Sequence, residues 1–99
     1  MSTYSNKDPQ EVVPLAWDFG PLLSQGETIA SASWIVTDPA EYSADFANML
    51  PDGVAIAGSV VKQRVANGTD GVSYRYRVEI TTSLGNIYVE TPTQLVLKA

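Results

Sequence analysis

The 99-residue sequence predicts an all-β fold, an antiparallel sandwich or barrel, and three observations carry that prediction. The first is the unbroken alternation from Val72 to Thr81. Val72, Tyr74, Tyr76, Val78 and Ile80 face one way, and Ser73, Arg75, Arg77, Glu79 and Thr81 face the other. Successive side chains of a strand point to opposite faces, so this is a strand with one buried face in an antiparallel sheet. The second is that turn residues recur about every ten positions, the spacing of short strands joined by hairpins. The third is that no long stretch places apolar residues at helical spacing.

Taken in order, residues 1–14 read as an extended arm, because they are polar, lack periodicity and carry Pro9 and Pro14. Proline fixes φ and removes a donor, which excludes a central strand. LAWDF (Leu15 to Phe19) is a short edge strand with Leu15, Trp17 and Phe19 on one face, ended by Gly20-Pro21. Ser24-Gln25-Gly26 marks the next turn. ETIASASWIVT (Glu27 to Thr37) is rich in strand formers and closes at Asp38-Pro39. Ala30, Ala32, Trp34 and Val36 share a face there and Ile29 and Ile35 the other, an imperfect alternation that a bulge, or burial on both faces near the end, would explain.

DPAEYSADFANMLPDG admits a short helix around residues 39–50, or a loop. Asp38 is placed to cap such a helix, with Pro39 at its first position and Glu41 completing a capping-box pattern. Tyr42, Phe46, Met49 and Leu50 would form its anchoring face. GSVVKQRVA is the next strand, with Val61, Gln63 and Val65 on one face and Val60, Lys62 and Arg64 on the other. Asn67 to Gly71 forms a turn. After the alternating strand, Ser83 to Asn86 makes a hairpin with Gly85 or Asn86 left-handed. Ile87 and Val89 are expected on the inner face of the return strand, which Pro92 interrupts before Leu95 to Leu97. Further short strands between Glu41 and Ala57 would bring the total to about six or seven.

One domain, residues 15–99, follows from the length. The hydrophobic fraction of 44% is that of a globular chain and not of a disordered one. The formal net charge of −5 opposes binding to phosphate backbones, although Lys62, Arg64, Arg75 and Arg77 could gather on one exposed face. The expectation is no nucleic-acid partner. With no cysteine there are no disulfides or thiolate ligands, and with no histidine the commonest base at neutral pH is missing. The polar start lacks a signal peptide's apolar centre, and no apolar run spans a bilayer. No membrane association is expected, and synthesis in a cytosol is.

Asp18, Glu27, Asp38, Glu41, Asp45 and Asp52 supply carboxylates, but no spacing makes two converge on a cleft, nor is there a dense acidic loop for Ca²⁺. Lys7, Lys62 and Lys98 show no pairing with a hydroxyl nucleophile. No catalytic, metal or cofactor residues are predicted, and the chain is not expected to be an enzyme. Trp17, Trp34, Tyr74, Tyr76, Val78 and Ile80 are expected in the core, where the largest apolar areas belong. The candidate partner contacts are Tyr4, Lys7, Asp8, Pro9, Val12 and Val13 in the arm, and Tyr42, Phe46 and Met49 in the segment after Asp38.

Two resemblances add to this reading. GTDGVSYRYRVEI resembles the penultimate strand of immunoglobulin-like and fibronectin type III domains, and Tyr74 matches the tyrosine of their corner. The order Lys7-Asp8-Pro9, Trp17-Asp18, Gly26-Glu27-Thr28-Ile29, and Tyr74 to Gly85 with its TTSLG ending resembles the small fibre-tail adaptor proteins of tailed bacteriophages. The segment from Asp38 to Pro51 is longer than that family's turn, and Asp70 stands where a small residue is common. The resemblance implies an immunoglobulin-like domain in the tail or neck of a virion, in a homo-oligomeric ring that joins the portal or adaptor ring to a tail fibre. The other readings of the same sandwich are a capsid decoration or other tail protein, and a ligand-binding module with Tyr88 as its exposed aromatic.

Overall fold

The alternation that defines the strands also decides how they pair. The computed structural model describes residues 3–99. Seven strands run β1 (Val13–Asp18), β2 (Ile29–Asp38), β3 (Ala55–Ala57), β4 (Val60–Val65), β5 (Val72–Thr82), β6 (Ile87–Glu90) and β7 (Thr93–Val96). One short helix, α1 (Ser43–Met49), lies between β2 and β3. The strands form two antiparallel sheets, one in the order β1-β4-β3 and the other β2-β5-β6, with β7 also on β5. They pack as a sandwich, and the pairing is compatible with an immunoglobulin-like arrangement.

β5 is the axis of the larger sheet. Its Tyr74, Tyr76, Val78 and Ile80 are fully buried, and Trp34 and Val36 of β2 join them from the same sheet. Leu15, Phe19, Val61 and Val65 face them from the smaller sheet, with Met49 closing one end. The expected core residues lie in or against this cluster, Trp17 being half-buried. The bulge inferred in β2 is present, as register shifts between Ile29 and Ser31 and between Val36 and Asp38. The first shift returns Ile29 to the core, which plain alternation would have kept outside.

β6 and β7 are two halves of one return strand. Val78 lies opposite Glu90 and Tyr74 opposite Gln94, so a single register carries through the break. At that break the Pro92 carbonyl accepts from Tyr76 N–H at 2.8 Å, but proline has no N–H to give back. The faces of β6 are the reverse of the expected ones. Ile87 is 62% exposed and Val89 38%, while Tyr88 packs against the core. Opposed residues share a face, and Tyr88 lies opposite the inward Ile80. The string Ile-Tyr-Val-Glu has apolar residues on both faces, so only the hairpin register could choose between them.

The segment after β2 is helical, with a 3-10 turn at Ala40–Tyr42 leading into α1. The capping box is absent. Pro39 is the first cap, no side chain caps either turn, and Asp38 ends β2 with its carboxylate 3.3 Å from the Arg75 guanidinium. An acid already paired across the sheet is not available to the helix.

Tyr74 secures the first turn of that helix. Its hydroxyl accepts from Thr69 N–H at 2.8 Å and donates to Asp45 of α1 at 2.7 Å, so it ties the β4–β5 turn to the helix. Gly68 in that turn has φ +95, and a Cβ there would sit 2.9 Å from Val96. Replacing Tyr74 with Phe keeps the ring and strips both partners of the hydroxyl. The expected loss is about 1–3 kcal/mol of stability, read from the urea midpoint at constant m-value.

Candidate functional site

The arm begins as polar chain and ends as part of the sandwich. Tyr4 N–H donates to Thr93 O at 2.8 Å, Lys7 N–H to Leu95 O at 3.0 Å, and Leu97 N–H to Lys7 O at 2.8 Å. The arm therefore lies parallel to β7 along its outer edge, bridging at Thr3 and Lys7. The Tyr4 ring stacks on Trp34 at 6.2 Å, meets Trp17 edge-on at 6.4 Å, and sends its hydroxyl to Ala16 O at 2.7 Å. Burial pushes the Tyr4 and Tyr76 phenols up from their ordinary values.

Lys7 is completely buried. Its Nζ donates to Asp8 O at 2.9 Å and Asn67 O at 2.7 Å. Burial lowers its pKa, and nearby Glu11 and Asp8 oppose that shift. Asn67 holds φ 56, a left-handed conformation that asparagine tolerates, and this turns its carbonyl into the ladder of contacts around the arm. The sequence places Lys7 among the partner contacts, and nothing in the local pattern of the arm points to an internal latch with a carbonyl 60 residues away.

Asp8 and Pro9 lie half-buried beyond Lys7, with Asp8 accepting from Gln10 N–H and Ala99 N–H. Val12 is 51% exposed and Val13 half-buried at the start of β1. On the other candidate segment, Tyr42 is exposed, Phe46 half-buried against Tyr74, and Met49 fully buried. The two segments meet through the Asn67 turn, whose carbonyl holds Lys7 and whose side-chain amide donates to Asn48 O at 2.7 Å. Lys7 and Met49 offer no side-chain surface in this state, whereas Val12 and Tyr42 do.

The basic residues do not gather. Lys62 and Arg64 point outward from β4 and Arg75 and Arg77 from β5, on opposite outer faces of the sandwich. Arg64 pairs with Asp52, Arg75 with Asp38 and Arg77 with Glu79.

Among the described residues, no group of three or more acids could hold a metal ion, and no helix is long and apolar enough to cross a membrane. Two of the surface grooves, one at Asp8, Pro9 and Lys98 and one at Tyr4, Glu11 and Gln94, each carry a single side-chain carboxylate. The one acid held by a full set of donors is Glu27, 6% exposed. It accepts from Thr82 Oγ1 at 2.5 Å, Asn86 Nδ2 at 2.8 Å and Ser24 N–H at 2.9 Å. These bonds, Thr82's foremost, hold its carboxyl below the ordinary range. Its task is to join the β1–β2 connection to the β5–β6 hairpin.

Residues 7–93 match the family described as the Podophage GP4 fiber-tail adaptor protein gp77. The chain belongs to that family. Membership places it among the structural adaptors of phage tails, in the virion and in contact with other virion proteins. Comparison with curated proteins returned no match. The match covers Lys7 and Asn67 of the arm latch, strands β1 to β6 and the whole of the segment containing α1, and ends at the first residue of β7.

Two outcomes follow for this fiber-tail adaptor. Replacing Lys7 with Ala should release the arm without unfolding the sandwich, so that the Tyr4 and Lys7 amides exchange at least tenfold faster while those of β5 stay protected. Glu27 and Asp45 have folded values below their ordinary 4.5 and 3.8, Asp45 through bonds from Tyr74 and Thr69. Their contribution is present above the unfolded values and is lost as pH falls through the folded ones. The melting temperature should therefore drop on acidification below about pH 4.5, and less steeply for Glu27→Gln.

Proposed function

We propose that the chain is a non-enzymatic adaptor of the tail or neck that links the portal and head-to-tail adaptor ring to the tail fibres. The observation that carries this reading is the family match over residues 7–93. The architecture supports it, because the buried Lys7 and Glu27 are committed to internal latches and the surface offers strand edges and loops for contact. Residues 1–14 act as a docking arm, the first two lying outside the described residues, and residues 15–99 as the single immunoglobulin-like domain. The contacts fall to Asp8, Pro9, Val12 and Val13 on the arm side and to Tyr42 and Phe46 beside α1. Lys7, Tyr4 and Met49 support those surfaces from beneath.

The adaptor works as a homo-oligomeric ring in the particle, where repeated weak contacts around an axis give an avidity that no single copy has. It takes no nucleic-acid or membrane partner and no cofactor, and it is made in the host cytoplasm. The ligand-module reading loses its aromatic platform, since Tyr88 packs on the core.

Quantitative mass spectrometry of purified particles tests the adaptor reading. The chain should appear at a fixed multiple of the portal subunit, and particles lacking it should carry tails but no fibres. Its absence from particles would overturn the reading, and a constant ratio to the major capsid protein would replace it with capsid decoration.

A further inference from the structure

The edge that receives the arm does not end where the arm ends. In an antiparallel ladder, alternate residues turn their main-chain groups toward the partner strand and the intervening ones turn away. Tyr76 bonds Pro92 and Thr82 bonds Asn86, so the even-numbered residues of the return strand face β5. The odd-numbered ones face away, and the arm confirms it by bonding Thr93, Leu95 and Leu97. Because β6 shares the register of β7, the same outward row continues through Thr91, Val89 and Ile87. Among the described residues, no strand pairs with that stretch.

Ile87 and Val89 are also the residues whose side chains stand out from the sheet, 62% and 38% exposed, with Leu84 of the hairpin 65% exposed. A free, apolar sheet edge invites another strand, and proteins ordinarily cover it or place a charge or proline there. Among the described residues the cover reaches Thr3, and Ile87 to Val89 carry no charge and no proline.

We propose that the β6 edge is the fibre-docking site, and that its occupant is an extended segment of the tail-fibre protein that adds a strand beyond Ile87 and Val89. The inference rests on the adaptor reading above. Continuity with the arm argues for an extended occupant, because the neighbouring half of the same edge already holds one through three main-chain bonds. Charge argues for a partner in place of a second copy. The chain carries −5, Glu90 ends the strand, and β6 itself has no basic residue, while Glu79 opposite Val89 is already paired with Arg77. The occupant should alternate apolar residues, to cover Ile87 and Val89, with lysine or arginine to meet Glu90 and the negative net charge.

Val89→Pro tests this. The Val89 N–H points away from β5, so proline removes no bond of the sandwich but blocks an added strand. Val89→Thr keeps the N–H and the branched side chain and serves as the control. Each variant complements in trans a phage deleted for the gene. Melting temperature, adaptor per portal and fibre per portal are then measured. The expected result is a proline variant that melts as the parent does and enters particles, with fibre content at least tenfold lower, and a threonine variant near the parent. Full fibre content with Val89→Pro would overturn the proposal. So would a folded proline variant that no longer enters particles, since the edge would then face the tail. A proline variant that fails to fold would overturn the assignment of the outward row. Absence of the parent chain from particles would instead sink the adaptor reading itself.

Discussion

A strand at the middle of a sheet must satisfy both edges and at least one face at once, and β5 does this over eleven residues. Its inward row supplies the two largest fully buried side chains, Tyr74 and Tyr76, and its two edges hold β2 on one side and the β6–β7 strand on the other. A slip of one residue would turn Tyr74, Tyr76, Val78 and Ile80 to water and bring Arg75, Arg77 and Glu79 into the core. Burying those charges unpaired costs far more than a domain of this size has in net stability. The register of β5 therefore fixes the faces of β2, β6 and β7 together, and the arm takes its place from β7.

Two of the buried polar clusters lie at opposite ends of the sandwich. At one end Glu27 draws a turn and a hairpin together. At the other, Lys7, Asn67, Asp45 and Tyr74 join the arm, a turn and α1. Each buried charge or hydroxyl has partners drawn from elements distant in sequence, and losing one leaves the others unsatisfied in a place water does not reach. Such latches hold loops that apolar packing alone would leave loose. This suits a protein whose surfaces must keep their shape against neighbours in a particle.

What the sequence made legible was the part governed by short-range alternation. The β5 faces, the bulge in β2, the left-handed Gly85 and the break at Pro92 all follow from residue type and spacing. The errors have a common cause. Ile87, Tyr88 and Val89 carry apolar groups on both faces, so the hairpin register decides between them and local pattern does not. Asp38 looked like a cap because its partner, Arg75, lies 37 residues away. Lys7 read as a partner contact and Glu27 as one of the unassigned carboxylates for the same reason, since their hydrogen-bonding partners sit at Asn67 and Thr82. For the candidate surface, sequence composition pointed to the arm and to the segment around Tyr42, but the free row on β6 emerges only once the strands are paired.

The seating of the arm also sets an order of events during synthesis. Ser5 receives its hydrogen bond from Gln94, 89 residues further along the chain. At ribosomal speeds of about 5–20 residues per second, the arm waits several seconds for the strand it docks on. Through that interval Tyr4 lies bare while Trp17 and later Trp34 emerge without their lid. A nascent chain is thus most exposed to wrong pairing just before β7 arrives. Closing the arm is the last step that separates a collapsed chain from one able to take its place in a particle.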